Sequence, residues 1–372
     1  MPSKIGFLLP SSEVYPLLII DFLNGFKLSY SQSNLPIPDI HFEGIGNGTD
    51  ASILRVTEKI IIQENIDLLI GFSGTNHIEK LLDLAKIYQK SFIHTDFGGT
   101  IIREEFKNEY VIHHSLNLWK GFSYTGLYAG KNIGKRVAII ISFYEAGYQL
   151  LYGFTKGFEQ VGGEIVSMQV AKSDYKNYDF ETMLDTAMAS KPDFILSNFT
   201  HKESEILFQK MQEKGILEQI PIVYNPIANH VFSSKTTTKN EIYAISTYLI
   251  NNENDWEISY KEKYKKAPNE IVLLGYEAGL LAIKKAEKDP SFEQPISETL
   301  KNETIISPRG EIGIDSYNET TFDSISIKKS KDNLPVVFEK MSINDSLFAK
   351  ANFESNKNDE VFGGWYNPYL CT

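Results

Sequence analysis

At 372 residues, 42% apolar and 23% charged, the chain is long for one simple core and suits two domains or lobes. A net charge of −11 argues against a nucleic-acid partner, which needs a concentrated cationic face. No apolar run approaches the ~18 residues needed to insert across a membrane.

Short apolar runs alternate with amphipathic stretches along most of the chain. The strand candidates are KIGFLLP (4–10), IHFEGI (40–45), LLIGF (68–72), SFIHT (91–95) and YVIHHSL (110–116). They continue with RVAIIIS (136–142), EIVSMQVA (164–171), FILSNF (194–199), PIVYN (221–225) and IYAISTYL (242–249). Helical patterns lie between them, as in LIIDFLNGFKLSY (18–30) and ILFQKMQEKGIL (206–217). Strands apolar along their whole length, alternating with helices, indicate parallel sheets covered on both faces. The alternation occurs twice, before and after about residue 118, so the expected class is α/β with two doubly wound parallel-sheet lobes. Lysines cluster at 261–266 (KEKYKK) with glutamates beside them, the pattern of a solvated helix face. Past residue 290 the pattern changes to short strands and turns, then to a polar tail ending in GGWYNPYL.

Ligands of open α/β sheets lie beyond the carboxyl ends of strands. The candidate loops are then Ser11-Ser12, 73–76, 96–100, 142–148, 198–201 and 225–227. Small polar residues there, such as Ser73-Gly74-Thr75-Asn76 and Asp96-Phe97-Gly98-Gly99-Thr100, leave backbone N–H groups free and let a ligand approach.

Catalytic signatures are missing. GIGNGT (44–49) is G-x-G-x-G rather than G-x-G-x-x-G and follows the second strand, which counts against a dinucleotide site. There is no phosphate-binding G-x-x-x-x-G-K-[ST] and no G-x-S-x-G elbow. His113 and His114 are adjacent, so on a strand they point to opposite faces and cannot chelate one metal. The single cysteine, Cys371, excludes an internal disulfide and a thiolate zinc site and leaves the compartment open. The expectation is a protein without enzymatic activity, cofactor or metal.

The chain resembles type I periplasmic binding proteins, specifically the branched-chain amino-acid (Leu/Ile/Val-like) solute-binding family of ABC importers. The resemblance runs from about Lys4 to Glu339. Its carriers are KIGFLLPSS with Gly25 in the following helix, VTEKIIIQENIDLLIG (56–71) and RVAIIISFYEAGYQLLYGFTKGFEQVGGEIV (136–166). DFILSNFTHKESEILFQKMQEKGI (193–216), GYEAGLLAIKKA (275–286) and SPRGEIGID (307–315) complete it. The resemblance implies three chain crossings near 117, 246 and 322 that form a hinge. The lobes would be 1–117 plus 247–322 and 118–246 plus 323–372, closing around a small ligand held between them.

In amino-acid binders of this family the ligand carboxylate lies on N–H groups and hydroxyls of the first lobe. The loops 73–76 and 96–100 match those positions, with Thr75, Asn76, Gly98 and Thr100 as the best donors; Ser11, Ser12, Ser73, Asp96 and Phe97 complete the first-lobe candidates by their place at strand ends. The second-lobe matches are Tyr144, Tyr148, Phe199, Thr200 and Asn225, with His201 beside them. Two departures stand out. TDFGGT replaces the family's T-P-x-A-T-like loop, and the acid that should meet the ligand ammonium is missing near Thr200 and Asn225-Pro226. Asp96 or Glu145 could supply that charge. The resemblance thus implies a receptor for an amino acid, amide, carboxylate or aromatic acid that delivers its ligand to an ABC permease. A cytoplasmic small-molecule sensor of the same fold is the alternative. The first strand-like run begins at Lys4, leaving no room for a signal peptide. The expectation is therefore a cytoplasmic chain, or a periplasmic or cell-surface one whose leader was trimmed.

Overall fold

The computed structural model describes residues 4–12, 15–46, 48–75, 78–143, 145–147, 149–172, 178–228, 239–251, 254–331 and 336–343. Asn76, Tyr144 and Tyr148 lie outside the described residues, as does the tail from 344 onward. Among the described residues the chain divides into two compact units. One takes the chain up to Leu116 and returns for Ile250–Asp323; the other takes Asn117–Leu249 and continues from Ser324. The chain thus passes between units after Leu116, Leu249 and Asp323.

The first unit begins β1 (Lys4–Leu9), α1 (Leu18–Gln32), β2 (Asp39–Gly44), α2 (Asp50–Glu64) and β3 (Leu68–Phe72). It continues α3 (Glu79–Ile87), β4 (Ser91–Asp96) and β5 (Val111–Ser115). These strands form a parallel sheet in the order β2-β1-β3-β4-β5. Burial follows position. The central strand LLIGF is buried throughout, whereas edge strand β2 (DIHFEG) is half exposed.

The second unit repeats the plan. It runs α4 (Leu118–Asn132), β6 (Arg136–Ile141), α5 (Leu150–Glu159), β7 (Glu164–Val170) and α6 (Phe180–Ala189). Then come β8 (Phe194–Asn198), α7 (His201–Glu213), β9 (Ile222–Tyr224) and β10 (Ile242–Ser246). Its parallel strands take the order β7-β6-β8-β9-β10, the same winding as the first sheet. Helix α7 starts earlier than the apolar pattern at 206 suggests, because its first turn, HKESE, is polar. It ends at Gly215, whose φ of +65° is the left-handed conformation that commonly terminates helices.

The return segment adds α8 (Asp255–Tyr264), α9 (Glu270–Lys288), α10 (Ile296–Leu300) and an antiparallel trio to the first unit. The trio is β11 (Ile305–Ser307), β12 (Gly310–Ile314) and β13 (Thr320–Thr321). Two further strands extend the second sheet beyond its parallel core. β14 (Ser324–Ser330) pairs antiparallel with β10, and β15 (Val337–Ser342) pairs antiparallel with β14. SISIKKS escapes a search for continuous apolar runs because only alternate residues, Ile325 and Ile327, supply apolar core. Among the described residues no helix is long and apolar enough to cross a membrane.

Helix α9 is anchored by its cap. Asn269 Oδ1 accepts from the Ile271 and Val272 N–H groups (3.1 and 3.0 Å), and its Nδ2 donates to Asp21 Oδ2 on α1 (2.8 Å). Asn269→Ala removes all three bonds and is expected to cost about 1–2 kcal/mol, read as a lower urea midpoint with unchanged slope.

Candidate functional site

A 2-1-3-4-5 winding reverses direction between its first and third strands, and the carboxyl ends of those two strands flank an opening. In the first unit these are the ends of β1 and β3, with β4 next to β3; in the second, the ends of β6 and β8. The site is assembled from the turns at these positions, taken one unit at a time.

In the first unit Ser73 directly follows β3. Its N–H donates to Thr95 O (3.2 Å) and its carbonyl accepts from His94 Nε2 (2.8 Å). A carbonyl can only accept, so His94 carries its proton on Nε2. Burial lowers the His94 pKa, against the opposing pull of Asp96 and the bond to Ser73. Ser73 is 3% exposed, and its Oγ has no hydrogen-bond partner. Two residues on, Thr75 Oγ1 donates to Asp96 Oδ2 (2.7 Å), while the Gly98 N–H donates to Asp96 Oδ1 (2.6 Å). The second bond uses a tight turn in which Gly98 takes a φ of +74°, open to glycine at no steric cost.

In the second unit Asn198 ends β8 and is fully buried, as is Asn225 just past β9. The Ile227 N–H donates to Asn225 Oδ1 (3.0 Å), which fixes that amide's orientation. Asn225 Nδ2 therefore donates to Asn198 Oδ1 (2.7 Å). Asn198 Nδ2 is left as a buried donor with no partner. Beside it Thr200 Oγ1 donates to the buried Glu145 Oε1 at 3.4 Å. Tyr178 OH donates to Glu203 Oε1 (2.8 Å). Burial raises the Glu203 carboxyl pKa against the lowering bonds from Tyr178 and Ser142.

The remaining candidates separate by environment. Ser11 is exposed, with its N–H on Gly46 O (2.8 Å). Ser12 Oγ accepts from the Tyr15 N–H (2.9 Å), a local turn. Phe97 is 1% exposed, edge-to-face with Phe72 and tilted against Tyr15. Phe199 is fully buried against Phe180 and Tyr178. Both rings pack into the core. Thr100 is half-buried at a bend. Asn198 opens the candidate loop 198–201 without being one of the ligand residues named from sequence, although an Asn closing the apolar run FILSN is a readable signal.

The two adjacent histidines serve separate networks. His113 Nδ1 lies 3.2 Å from His94 Nδ1, while His114 joins a fully buried cluster with Glu277 and Arg309. Among the described residues no group of three or more His, Cys, Asp or Glu side chains is placed to hold a metal ion.

Comparisons with known proteins identify the family and the fold. The family model described as "Periplasmic binding protein" matches residues 2–329. No curated protein matches the chain. Among solved structures, the chain is similar to an ABC transporter solute binding protein from Rhodopseudomonas palustris BisB5, in complex with 3,4-dihydroxy benzoic acid. The TM-score is 0.75 and the identity 20%, over 91% of this chain and 97% of that one. An ABC transporter substrate-binding protein from Sphaerobacter thermophilus gives a TM-score of 0.77 at 18% identity, over 92% and 97%. The leucine binding protein LivK from Thermotoga maritima gives 0.68 at 19%, over 92% and 99%. At such identities these likenesses establish the fold.

Proposed function

We propose that this chain, which belongs to the periplasmic binding protein family, is a solute receptor of an ABC importer and carries out no chemical step. It captures a small polar ligand and presents it to a membrane permease outside the cytoplasmic membrane. One observation carries the reading: a buried polar atom without a partner stands at the switch point of each unit, Ser73 Oγ and Asn198 Nδ2. Leaving such an atom unpaired costs about 1–3 kcal/mol, which a ligand of complementary polarity relieves. We assign the binding groups of the first unit to Ser73, Thr75, Asp96 and Gly98, and those of the second to Asn198 and Thr200. An aromatic or aliphatic body with one or two polar ends suits a receptor of this kind, as in the dihydroxybenzoate-bound relative.

The test is a thermal-shift screen of the full chain against amino acids, amines, amides and carboxylates. A ligand at 100 times its dissociation constant is expected to add about 2.7 kcal/mol to the folded state, a clear rise in melting temperature. A folded protein that responds to no class would remove the receptor reading.

A further inference from the structure

Two donors at the turns of the first unit are already engaged. The Thr75 hydroxyl proton lies on Asp96 Oδ2 and the Gly98 N–H on Asp96 Oδ1. These are two of the groups that the family resemblance assigns to a ligand carboxylate. These groups keep acceptor capacity in the second lone pairs of both Asp96 oxygens and those of Thr75 Oγ1. The buried Ser73 Oγ, unpartnered two residues before Thr75, can accept as readily as donate. Charge points the same way. In the sequence the three turns 10–15, 73–78 and 96–102 hold Glu13 and Asp96 and no Lys or Arg, their only basic residue being His77. An incoming carboxylate would meet a like charge and find two of its expected donors engaged.

We propose that the first unit binds the ammonium end of a primary amine, with Asp96 as counter-ion and Ser73 and Thr75 as additional acceptors. Asp96 thus stands where a family member of the amino-acid type would admit the ligand's own carboxylate. An ammonium offers three donors to the oxygen acceptors of two adjacent turns, and its charge matches the one carboxylate they hold. The inference rests on the receptor reading above and specifies the ligand chemistry of those same first-unit groups.

The test uses matched pairs that differ only in the polar end: isoamylamine against isocaproate, and phenethylamine against hydrocinnamate. Binding to the full chain is measured by calorimetry at millimolar concentrations. The expected result is saturable binding of the amines at least tenfold tighter than of the acids. Asp96→Asn, which keeps the side chain's shape and an oxygen for the Gly98 N–H, should weaken amine binding tenfold or more. Ser73→Ala should weaken it less. Acids bound more tightly than amines, or amine binding untouched by Asp96→Asn, would overturn the inference and leave the receptor reading standing. Binding of neither series, together with no response in the thermal-shift screen, would remove both. If Asp96→Asn fails to fold, the amine-to-acid ratio in the unaltered protein still decides.

Discussion

Glu277→Gln is expected to destabilise the first unit by about 3–5 kcal/mol, the usual consequence of stripping one partner from a buried ion pair. Glu277 on α9 and Arg309 at the start of the β12 hairpin are both fully buried. Arg309 Nε donates to both carboxylate oxygens, at 2.9 and 3.0 Å, and its terminal nitrogen bonds both Glu277 and Ser115 O. Its guanidinium lies 3.6 Å from the centre of the Phe322 ring. A glutamine would keep the volume and leave the arginine as an uncompensated charge. Glu277→Leu combined with Arg309→Met should cost less than Glu277→Gln alone, because no orphaned charge remains. A single-variant cost below about 1 kcal/mol, the range of exposed pairs, would show that the cluster does not hold the unit together.

The same cluster sets a pH dependence whose sign is determined. Burial alone would raise the Glu277 carboxyl; the Arg309 guanidinium and the bonds from His114 and Arg309 outweigh it and hold the pKa at about 2. Burial also lowers the His114 pKa, against the pull of Glu277. His114 Nε2 lies 3.3 Å from Glu277 Oε2, and its Nδ1 lies 3.2 Å from Thr320 Oγ1. A neutral ring accepts from Thr320 Oγ1 at Nδ1 and faces Glu277 with Nε2. Both groups have depressed pKa values, so their stabilising contributions are complete at neutral pH and decline on acidification. The His114 contribution starts to fall below its ordinary pKa near 6.5. The Glu277 contribution, roughly 3 kcal/mol for the difference between about 4.5 and about 2, falls below pH ~5. Melting temperatures measured from pH 7 to pH 3 should decline, and Glu277→Gln should flatten the steep lower part.

The strands were legible because parallel strands buried on both faces are written as unbroken apolar runs such as LLIGF and RVAIII. Edge strand β15 (VFEKMS) is mostly exposed and carries no such run. The pairing that joins it to β14 and β10 is a tertiary choice its composition does not announce. The site was legible to the level of turns. Ser73, Thr75, Asp96 and Gly98 could be selected because polar residues just past a strand end have a known place. That Asp96 turns back to take the Thr75 proton and the Gly98 N–H depends on side-chain direction over a separation of 21 residues. Composition holds no information about that direction, so residues that read as donors for a ligand anion turn out to be committed to an internal one.

The glycines of two helix pairs carry the second large expected effect. In the first unit a Cβ on Gly25 of α1 would overlap the Val272 carbonyl oxygen of α9, and one on Gly275 would overlap that of Phe22. In the second, Gly126 of α4 meets the Phe154 carbonyl oxygen of α5 and Gly157 meets that of Ser123 in the same way. The obstructing atoms are backbone, which cannot rotate aside, so relief requires the helices to separate. In an exposed helix, replacing glycine by alanine gains about 1 kcal/mol. Here overpacking reverses the sign. Gly25→Val and Gly157→Val, which add bulk without improving helix propensity as alanine would, should each cost about 3 kcal/mol, the upper end of the overpacking range. Hydrogen exchange read by mass spectrometry should show faster exchange in α1 and α9 for the first variant and in α4 and α5 for the second. Exchange unchanged in the matching pair would mean the helices have room that the backbone positions deny. In each unit the helix after the leading strand, α1 or α5, packs on one that follows a crossing between units. A device of the same kind in both is what a repeated α/β plan requires, since each sheet needs a closely packed helical layer over its central strands.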